Sequence, residues 1–573
     1  MTRSVNLAIS GQAGQGIATV ESLLTKALKR SGLNVFASRE YMSRVRGGIN
    51  STAIRVSSQP VHAFEDRIDI LIPLSDEAIP HLQHRMTNNT LVIGEKAFLS
   101  MDLLLSFISI EVPFTELAKE IGSILYSNII ALGVISSIFK VERQILHDLI
   151  EFTFLKKGDK VIQPNKSAIN KGYEIGAELE DKYEILKKFY MNKNPEIKND
   201  LILDGTESIA LGAIAGGVQY ECFYPMAPST GIGTFLAQQA SKFGLIVDMS
   251  EDEISVINKA LGASYAGARS LVTTSGGGFS LMTEAISLAG MLELPIVVVV
   301  GQRPGPATGM PTRTTQEDLR LVLHAGAGFF PRIIFAPGCI EDSFYLTQKA
   351  FDLAQKYQVP VFILTDQYLV DSYYNLPFLN LDSLKNEKFI VKTDKDYQRF
   401  KFTKSGISPR GIPGYGEGLV AADSHTHTEA GMISEDPEIR EKSVEKRLKK
   451  LKLIKDASIP PEFIGDANKI KYQIVSWGST YYIIKEALDK INRSDIGFLH
   501  FSQVYPIHES TKDYLKKAKI NIMVEQNPTG QFANLIENEI HIQIDKKILK
   551  YSGYTLSVED IVAQITDAIN GGN

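Results

Sequence analysis

Short apolar runs alternate along this chain with longer stretches whose hydrophobic residues recur every three or four positions, the two periods of strand and helix. Residues 5–10 form a β-like run. Gly11-Gln12-Ala13-Gly14-Gln15-Gly16 follows, and IATVESLLTKALKRSG then has helical spacing. Further β-like runs occur at 68–75 and 91–94. Strands alternating with helices predict a sheet covered by helices, in a first unit ending near residue 178. The apolar stretch 124–139 is too short for a membrane span and contains Ser and Asn, so it predicts a buried helix. The polar stretch 178–200 reads either as a linker with helical character or as a solvated surface helix.

From about residue 200 the alternation sharpens. SIALGAIAGGVQ, GIGTFLAQQASKFG and ISVINKALGASYAGA have helical spacing, whereas ECFYPM, LIVDMS, SLVTT and LPIVVVV read as strands. RIIFAP, a helix over 342–357 and PVFILTD continue the series. Continuous Val/Ile/Leu runs predict strands buried on both faces, as in a parallel sheet. Residues 372–465 break the rhythm. SGISPRGIPGYGEG predicts a loop, and REKSVEKRLKKLKLIKD predicts a basic helix, either solvated or at an interface. A last α/β unit from about 468 carries the strand-like YQIVSWG, IGFLHFSQ and INIMVEQN and ends on the helical VEDIVAQITDAIN.

Composition narrows the picture. The chain has 573 residues, 44% hydrophobic and 22% charged, which fits about three to five soluble domains. The net charge of −5 is spread along the chain, without the basic footprint of a nucleic-acid partner. The N-terminal stretch lacks a signal-peptide apolar region, so a soluble cytoplasmic protein with no membrane association is expected. There are two cysteines, Cys222 and Cys339. An iron–sulfur cluster normally takes about four, so this chain is not expected to hold one, and isolated cysteines fit a reducing compartment.

The candidate chemistry lies in loops at strand ends. Gly11, Gly14 and Gly16 permit a tight β–α turn, or bring N–H groups to a helix start where an anion binds. Arg46-Gly47-Gly48, preceded by Arg39 and Arg44, is either an exposed loop or a mobile phosphate or carboxylate site. Tyr224-Pro225-Met226-Ala227-Pro228-Ser229-Thr230 follows a strand, at the sheet edge where open α/β sheets bind ligands. It is equally a stiff connection with a hydroxyl cap. Ser250-Glu251-Asp252-Glu253 has capping-box spacing, with Ser250 as cap and Glu253 three residues on. Small residues along the helix that follows also allow a cofactor or another backbone to lie close. Gly276, Gly277 and Gly278 keep the backbone after SLVTTS open to close approach. Arg303, in GQRPGP, has the planar fork that takes a carboxylate, or bridges loops structurally. His425 and His427 lack a clear third ligand, and a non-metal role is expected.

Taken in order, GQAGQGI, Arg46-Gly47-Gly48, YPMAPST, the Glu253 helix, TTSGGG, GQRPGPATGMPT and VEQNPTGQFANLI resemble the 2-oxoacid:ferredoxin oxidoreductase family, as a fused gamma–alpha subunit of the two-subunit 2-oxoglutarate type. The resemblance implies three α/β domains: gamma at 1–180, a pyrimidine-binding-like alpha domain at 201–375 and a transketolase C-terminal-like domain at 468–573. A linker at 181–200 and a loop-rich connection with the basic helix at 376–467 join them. It implies thiamine diphosphate shared with a beta subunit that carries Mg2+ and a [4Fe–4S] cluster. Coenzyme A is the implied co-substrate, ferredoxin the acceptor, and an (alpha–beta)2 heterotetramer the assembly. By register, Glu253 matches the family's activating glutamate, whose carboxyl favours the imino form of the cofactor and so helps generate its ylid. Arg303 resembles the arginine that holds the substrate carboxylate, and the YPMAPST loop is expected to line the same pocket. Two departures stand out. Ala227 replaces a common threonine, and Thr426 and Thr428 flank His427 where the family is richer in acids. A self-contained thiamine enzyme needs a Gly-Asp-Gly motif; Gly158-Asp159-Lys160 and Gly465-Asp466-Ala467 are the nearest matches. A non-catalytic scaffold is the other alternative, and pyruvate, branched-chain or aryl 2-oxoacids are the alternative substrates.

Overall fold

The computed structural model describes residues 4–12, 16–42, 48–99, 107–382 and 384–571. They form two units: Met1–Leu203 with Asp371–Leu379 and Ser557–Glu559, and Asp204–Val370 with Asn380–Leu556 and Asp560–Asn573.

The first unit is built on an eight-stranded sheet. Strands Ile108–Glu111, Leu91–Gly94, Ile70–Pro73 and Ser4–Gln12 run parallel to one another. Beside them Ile49–Ser57 and Asn34–Glu40 are antiparallel, and Tyr373–Leu376 and Leu201–Asp204 complete the sheet. The antiparallel pair is not evident from the apolar pattern, because INSTAIRVS alternates with Asn, Ser, Thr and Arg and buries several of them. Arg55, for example, is buried against Glu65 at 3.4 Å. The helix Ile17–Arg30 covers the sheet through Val20, Leu23, Leu24, Ala27 and Leu28. Ser127–Ile138 is the buried helix expected, apolar on nearly every side. The stretch 178–200 is neither a free linker nor a solvated helix. The helix Asp159–Lys182 runs into it, then short 3-10 turns place Leu186 and Phe189 in the first unit's core and bury Ile197.

The second unit holds two sheets. In the seven-stranded one, Ile333–Phe335, Pro360–Asp366, Ile296–Gln302, Ser270–Ser275, Tyr220–Phe223 and Ile246–Met249 are parallel in that order, and Gln503–Tyr505 adds antiparallel at one edge. The central strands are wholly buried, as their unbroken apolar runs predict. The five-stranded sheet orders Glu462–Ile464, Ile496–Phe501, Tyr472–Trp477, Ile520–Glu525 and Lys546–Leu549. One hydrophobic core joins both sheets: Val298, Val300 and Phe362 share it with Val475, Trp477 and Phe532.

The basic helix Pro437–Asp456, expected to be solvated or at an interface, is mostly exposed but packs one side inward. Lys446 and Lys450 turn inward and donate to the two oxygens of buried Glu293, at 2.6 and 2.7 Å. Among the described residues no helix is long and apolar enough to cross a membrane.

Candidate active site

Four of the parallel strands of the seven-stranded sheet end in the segments that carry the expected residues. Tyr220–Phe223 leads into Tyr224–Thr230, Ile246–Met249 into the Glu253 helix, Ser270–Ser275 into the glycine run, and Ile296–Gln302 into Arg303. The common direction of the strands makes this convergence, since parallel strands deliver all their carboxyl ends to one edge.

Glu253 is the first residue of the helix Glu253–Tyr265. The cap is Asp252, whose Oδ1 accepts the Ser255 N–H at 2.7 Å, so the Ser250–Glu253 capping box is not formed. Ser250 instead accepts from Lys259 Nζ at 2.9 Å and touches Cys222 Sγ at 3.1 Å. Released from capping, Glu253 is 4% exposed and its Oε1 has no hydrogen-bond partner among the described residues. Buried carboxyl oxygens are seldom left so, because desolvation without a replacement bond is costly.

The glycine run is not a loop before a helix but the opening of the helix Gly276–Leu281. A Cβ at Gly278 would lie 2.5 Å from Glu253 Oε1 and 2.3 Å from Thr274 Oγ1; one at Gly276 would lie 2.3–2.4 Å from the carboxyl atoms of Asp318. These two glycines are required by the close approach of two carboxyls. Gly277 is exposed between them, 3.4 Å from Ala307 O if given a Cβ, so the loop after Arg303 folds back over the run.

Arg303 is 7% exposed. Its Nη1 donates to the Ala227 carbonyl at 2.8 Å, and its Nε has no partner among the described residues. Burial lowers its pKa, while the charges of Asp318 and Glu253 pull it back up. Ala227 therefore contributes its backbone oxygen to the site. In the same loop Tyr224 and Pro225 are exposed, Pro228 and Ser229 are buried, and Thr230 starts the helix Thr230–Phe243. The Ser229 hydroxyl donates back to the Met226 carbonyl at 2.9 Å.

Two buried acids lie outside the sequence motifs, Asp318 beside the glycine run and Glu221 within the strand Tyr220–Phe223. Asp318 Oδ2 is buried and unpartnered among the described residues. Burial first, then Glu317, push its carboxyl up to about 7, against the pull of Arg303. Glu221 is fully buried in the strand Tyr220–Phe223 and accepts from Thr273 Oγ1 at 3.3 Å; burial raises its pKa to about 8. Neither has a local signal. Asp318 reads as an ordinary helix cap before LRLVLH, and Glu221 as a polar break in a short strand.

The other candidates lie elsewhere. In the first unit Gly11 ends a strand and Gly16, at φ +78°, precedes the helix Ile17–Arg30. Gly48, at φ +85°, sits against Met42. Gly14, Arg44, Arg46 and Gly47 lie outside the described residues. Arg39 is committed: its Nε donates to both oxygens of buried Glu21 at 2.9 Å. His427 packs on Phe400 with ring centroids 3.9 Å apart and bonds the His425 carbonyl through Nδ1 at 2.9 Å. Cys222 and Cys339 are free and buried.

The chain is similar to known proteins over nearly its whole length. Residues 6–175 match the pyruvate ferredoxin/flavodoxin oxidoreductase model, and residues 211–446 match the pyruvate flavodoxin/ferredoxin oxidoreductase, thiamine diphosphate-binding model. The 2-oxoacid:ferredoxin oxidoreductase subunit alpha of a Sulfolobus species is 29% identical, over 98% of this chain and 97% of that protein. The 2-oxoglutarate synthase subunit KorA of Methanocaldococcus jannaschii is 33% identical, over 58% of this chain and 90% of that protein. Among solved structures, the 2-oxoglutarate:ferredoxin oxidoreductase from Magnetococcus marinus with 2-oxoglutarate, coenzyme A and succinyl-CoA bound superposes with a TM-score of 0.92 at 28% identity, covering 99% of this chain and 100% of that one.

Proposed function

This chain belongs to the 2-oxoacid:ferredoxin oxidoreductase family as an alpha subunit, and from that premise we propose that it serves the oxidative decarboxylation of 2-oxoglutarate with coenzyme A, giving succinyl-CoA, carbon dioxide and reduced ferredoxin. The observation that carries the reading is the buried carboxyl of Glu253 in the notch at Gly278, whose Oε1 has no partner among the described residues and whose charge reaches Arg303. The relatives named for 2-oxoglutarate, and the solved enzyme that holds it, favour that substrate.

The residues fit the pyrimidine end of thiamine diphosphate. Glu253 Oε1 is an orphaned buried acceptor, and the cradle beside it exists only because Gly278 lacks a Cβ. When bound, that cofactor supplies a nucleophilic carbon and an electron sink for breaking the bond between the 2-oxo carbon and its carboxylate. Glu253 is the group that holds or moves a proton at a ring nitrogen there; its burial keeps water from competing for the bond. Arg303 binds the substrate carboxylate with the donors that Ala227 leaves open, and the Ala227 carbonyl fixes the orientation of the fork. Pro228 and the self-bonded Ser229 stiffen the wall beside it. Gly277 leaves the backbone open on the cofactor side, whereas the notch at Gly276 is filled by the Asp318 carboxyl.

A beta subunit supplies the remaining parts in this reading: the diphosphate clamp, Mg2+ and the [4Fe–4S] cluster. Tyr224, Met249, Ile254, Leu281 and Met310 are exposed on the very segments that carry the site, an apolar rim that fits a covering partner. Gly158 and Gly465 do not offer a diphosphate motif. Gly158 starts the helix Asp159–Lys182, and Asp466 forms an exposed pair with Lys469 at 2.9 Å.

Co-expression with a beta subunit, followed by assay with a panel of 2-oxoacids, coenzyme A and a viologen, tests the proposal. Reduction fastest with 2-oxoglutarate is expected. Faster turnover of pyruvate, a branched-chain or an aryl 2-oxoacid reassigns the substrate; no reduction with any of them removes the function.

A further inference from the structure

We infer that Asp318 is a positioning residue at the substrate end of the site: uncharged, it leaves the Arg303 guanidinium to an incoming 2-oxoacid carboxylate, and ionised, it competes for that guanidinium. The inference rests on the function proposed above.

Its basis is geometric. Asp318 closes the loop that Arg303 opens. Its N–H donates to Gln302 Oε1 at 3.1 Å, which ties it to the residue preceding Arg303. Its carboxyl occupies the notch at Gly276, where a Cβ would stand within 2.3–2.4 Å of it, so the group has a built place beside the glycine run. Although it is the cap position of the helix Leu319–His324, its side chain makes no capping bond, and Oδ2 is buried without a partner among the described residues. The Arg303 Nε is orphaned in the same way. Asp318 and Arg303 thus feel each other's charge while each keeps bonding capacity unspent among the described residues, the arrangement expected where a ligand takes up one of them.

The charges facing Asp318 are Arg303 from the strand end and Glu317 from its own segment, with Glu253 acting on Arg303 from the neighbouring helix. From the helix Gln531–Ile540 the nearby group is the Gln531 amide, which donates to the Glu317 carbonyl and accepts from the Arg320 N–H. Burial and Glu317 push the Asp318 carboxyl up to about 7, which places its ionisation in the working range. The sign follows: protons held below about 7 favour substrate, and their loss above it opposes substrate.

The test is the KM for 2-oxoglutarate of the complex with its beta subunit, in wild type and Asp318→Asn. In wild type KM rises at least about fivefold between about pH 6.5 and about pH 8.5 while kcat changes little; in Asp318→Asn the KM rise disappears. An unchanged alkaline rise in the variant, or a flat KM in wild type, overturns the inference. Should Asp318→Asn fail to assemble, wild type decides alone. Calorimetry with the unreactive analogue N-oxalylglycine at about pH 8, in buffers of different ionisation enthalpy, should show proton uptake approaching about one per site. Binding without uptake rejects the role. A wild-type complex that oxidises no 2-oxoacid removes the function itself; an active one whose variant keeps the same pH limb removes only Asp318.

Discussion

Two glutamates buried in the second unit are treated in opposite ways. Glu293 accepts Lys446 on one oxygen and Lys450 on the other, with Arg399 close by. Burial opposes its ionisation, but Lys450, Lys446 and Arg399 outweigh that and hold its carboxyl below the usual carboxylate range. Glu253 is as thoroughly buried yet keeps an oxygen without a partner among the described residues. The chain thus completes one carboxyl and leaves the other incomplete. A carboxyl that packing has sealed is an anchor, and one that packing has left open beside a notch is a candidate site.

The sharpest break in that comparison is Glu253→Gln. The amide keeps size but loses the proton chemistry, so kcat of the assembled complex should fall about 10²–10⁴-fold with little change in thermal stability. A variant retaining most of its activity sinks the catalytic assignment and revives a scaffold role. The mirror experiment is Glu293→Ala, which strands two buried ammonium groups. A loss of about 3–5 kcal/mol in unfolding free energy is expected, with turnover of the folded fraction kept, as read by denaturant titration and active-site normalised assay. Loss of turnover without loss of stability would invert the two roles.

Smaller effects sharpen the boundary. Gly278→Ala puts a methyl 2.5 Å from Glu253 Oε1; displacement of the carboxyl should cost about 10–100-fold in kcat while Gly277→Ala, in the open, costs far less. Equal losses at both positions count against the notch. Arg303→Lys keeps the charge without the fork, so KM for the 2-oxoacid should rise about 5–30-fold with a smaller change in kcat. The smallest effect is in pH. Glu293 has a depressed folded pKa, so its stabilisation is present above the ordinary value of 4.5 and is lost as pH falls below it. The stability gap between wild type and Glu293→Gln should therefore be full near neutral pH and narrow below about pH 4; a gap constant with pH places the stabilisation elsewhere.

The unbroken Val/Ile runs of the central strands are legible without a structure, because a strand buried on both faces has no room for polar residues. The antiparallel pair Asn34–Glu40 and Ile49–Ser57 is not, because its buried Arg55 and Thr52 are satisfied by Glu65 and Glu21, residues that local pattern cannot supply. Arg39 shows the same limit. Beside paired glycines it reads as a candidate anion contact, and the fold gives it Glu21. Ser250 through Glu253 has capping-box spacing; only the observed backbone shows that Asp252 takes the cap and frees Glu253. The basic helix looks solvated by composition, and long-range pairing with Glu293 turns two of its lysines inward.

By itself the sequence determined the alternation of strands and helices in the second unit, the parallel character of its central sheet and the ordered motifs that carry the family, since each depends on residues close together in the chain. It also placed Glu253 and Arg303 at strand ends. The tertiary structure alone decided which buried carboxyls are sealed and which are open, brought Asp318 into the notch at Gly276, and turned Ala227 into a carbonyl contact for Arg303. Those facts depend on distances between residues far apart in sequence, and desolvation makes each of them matter.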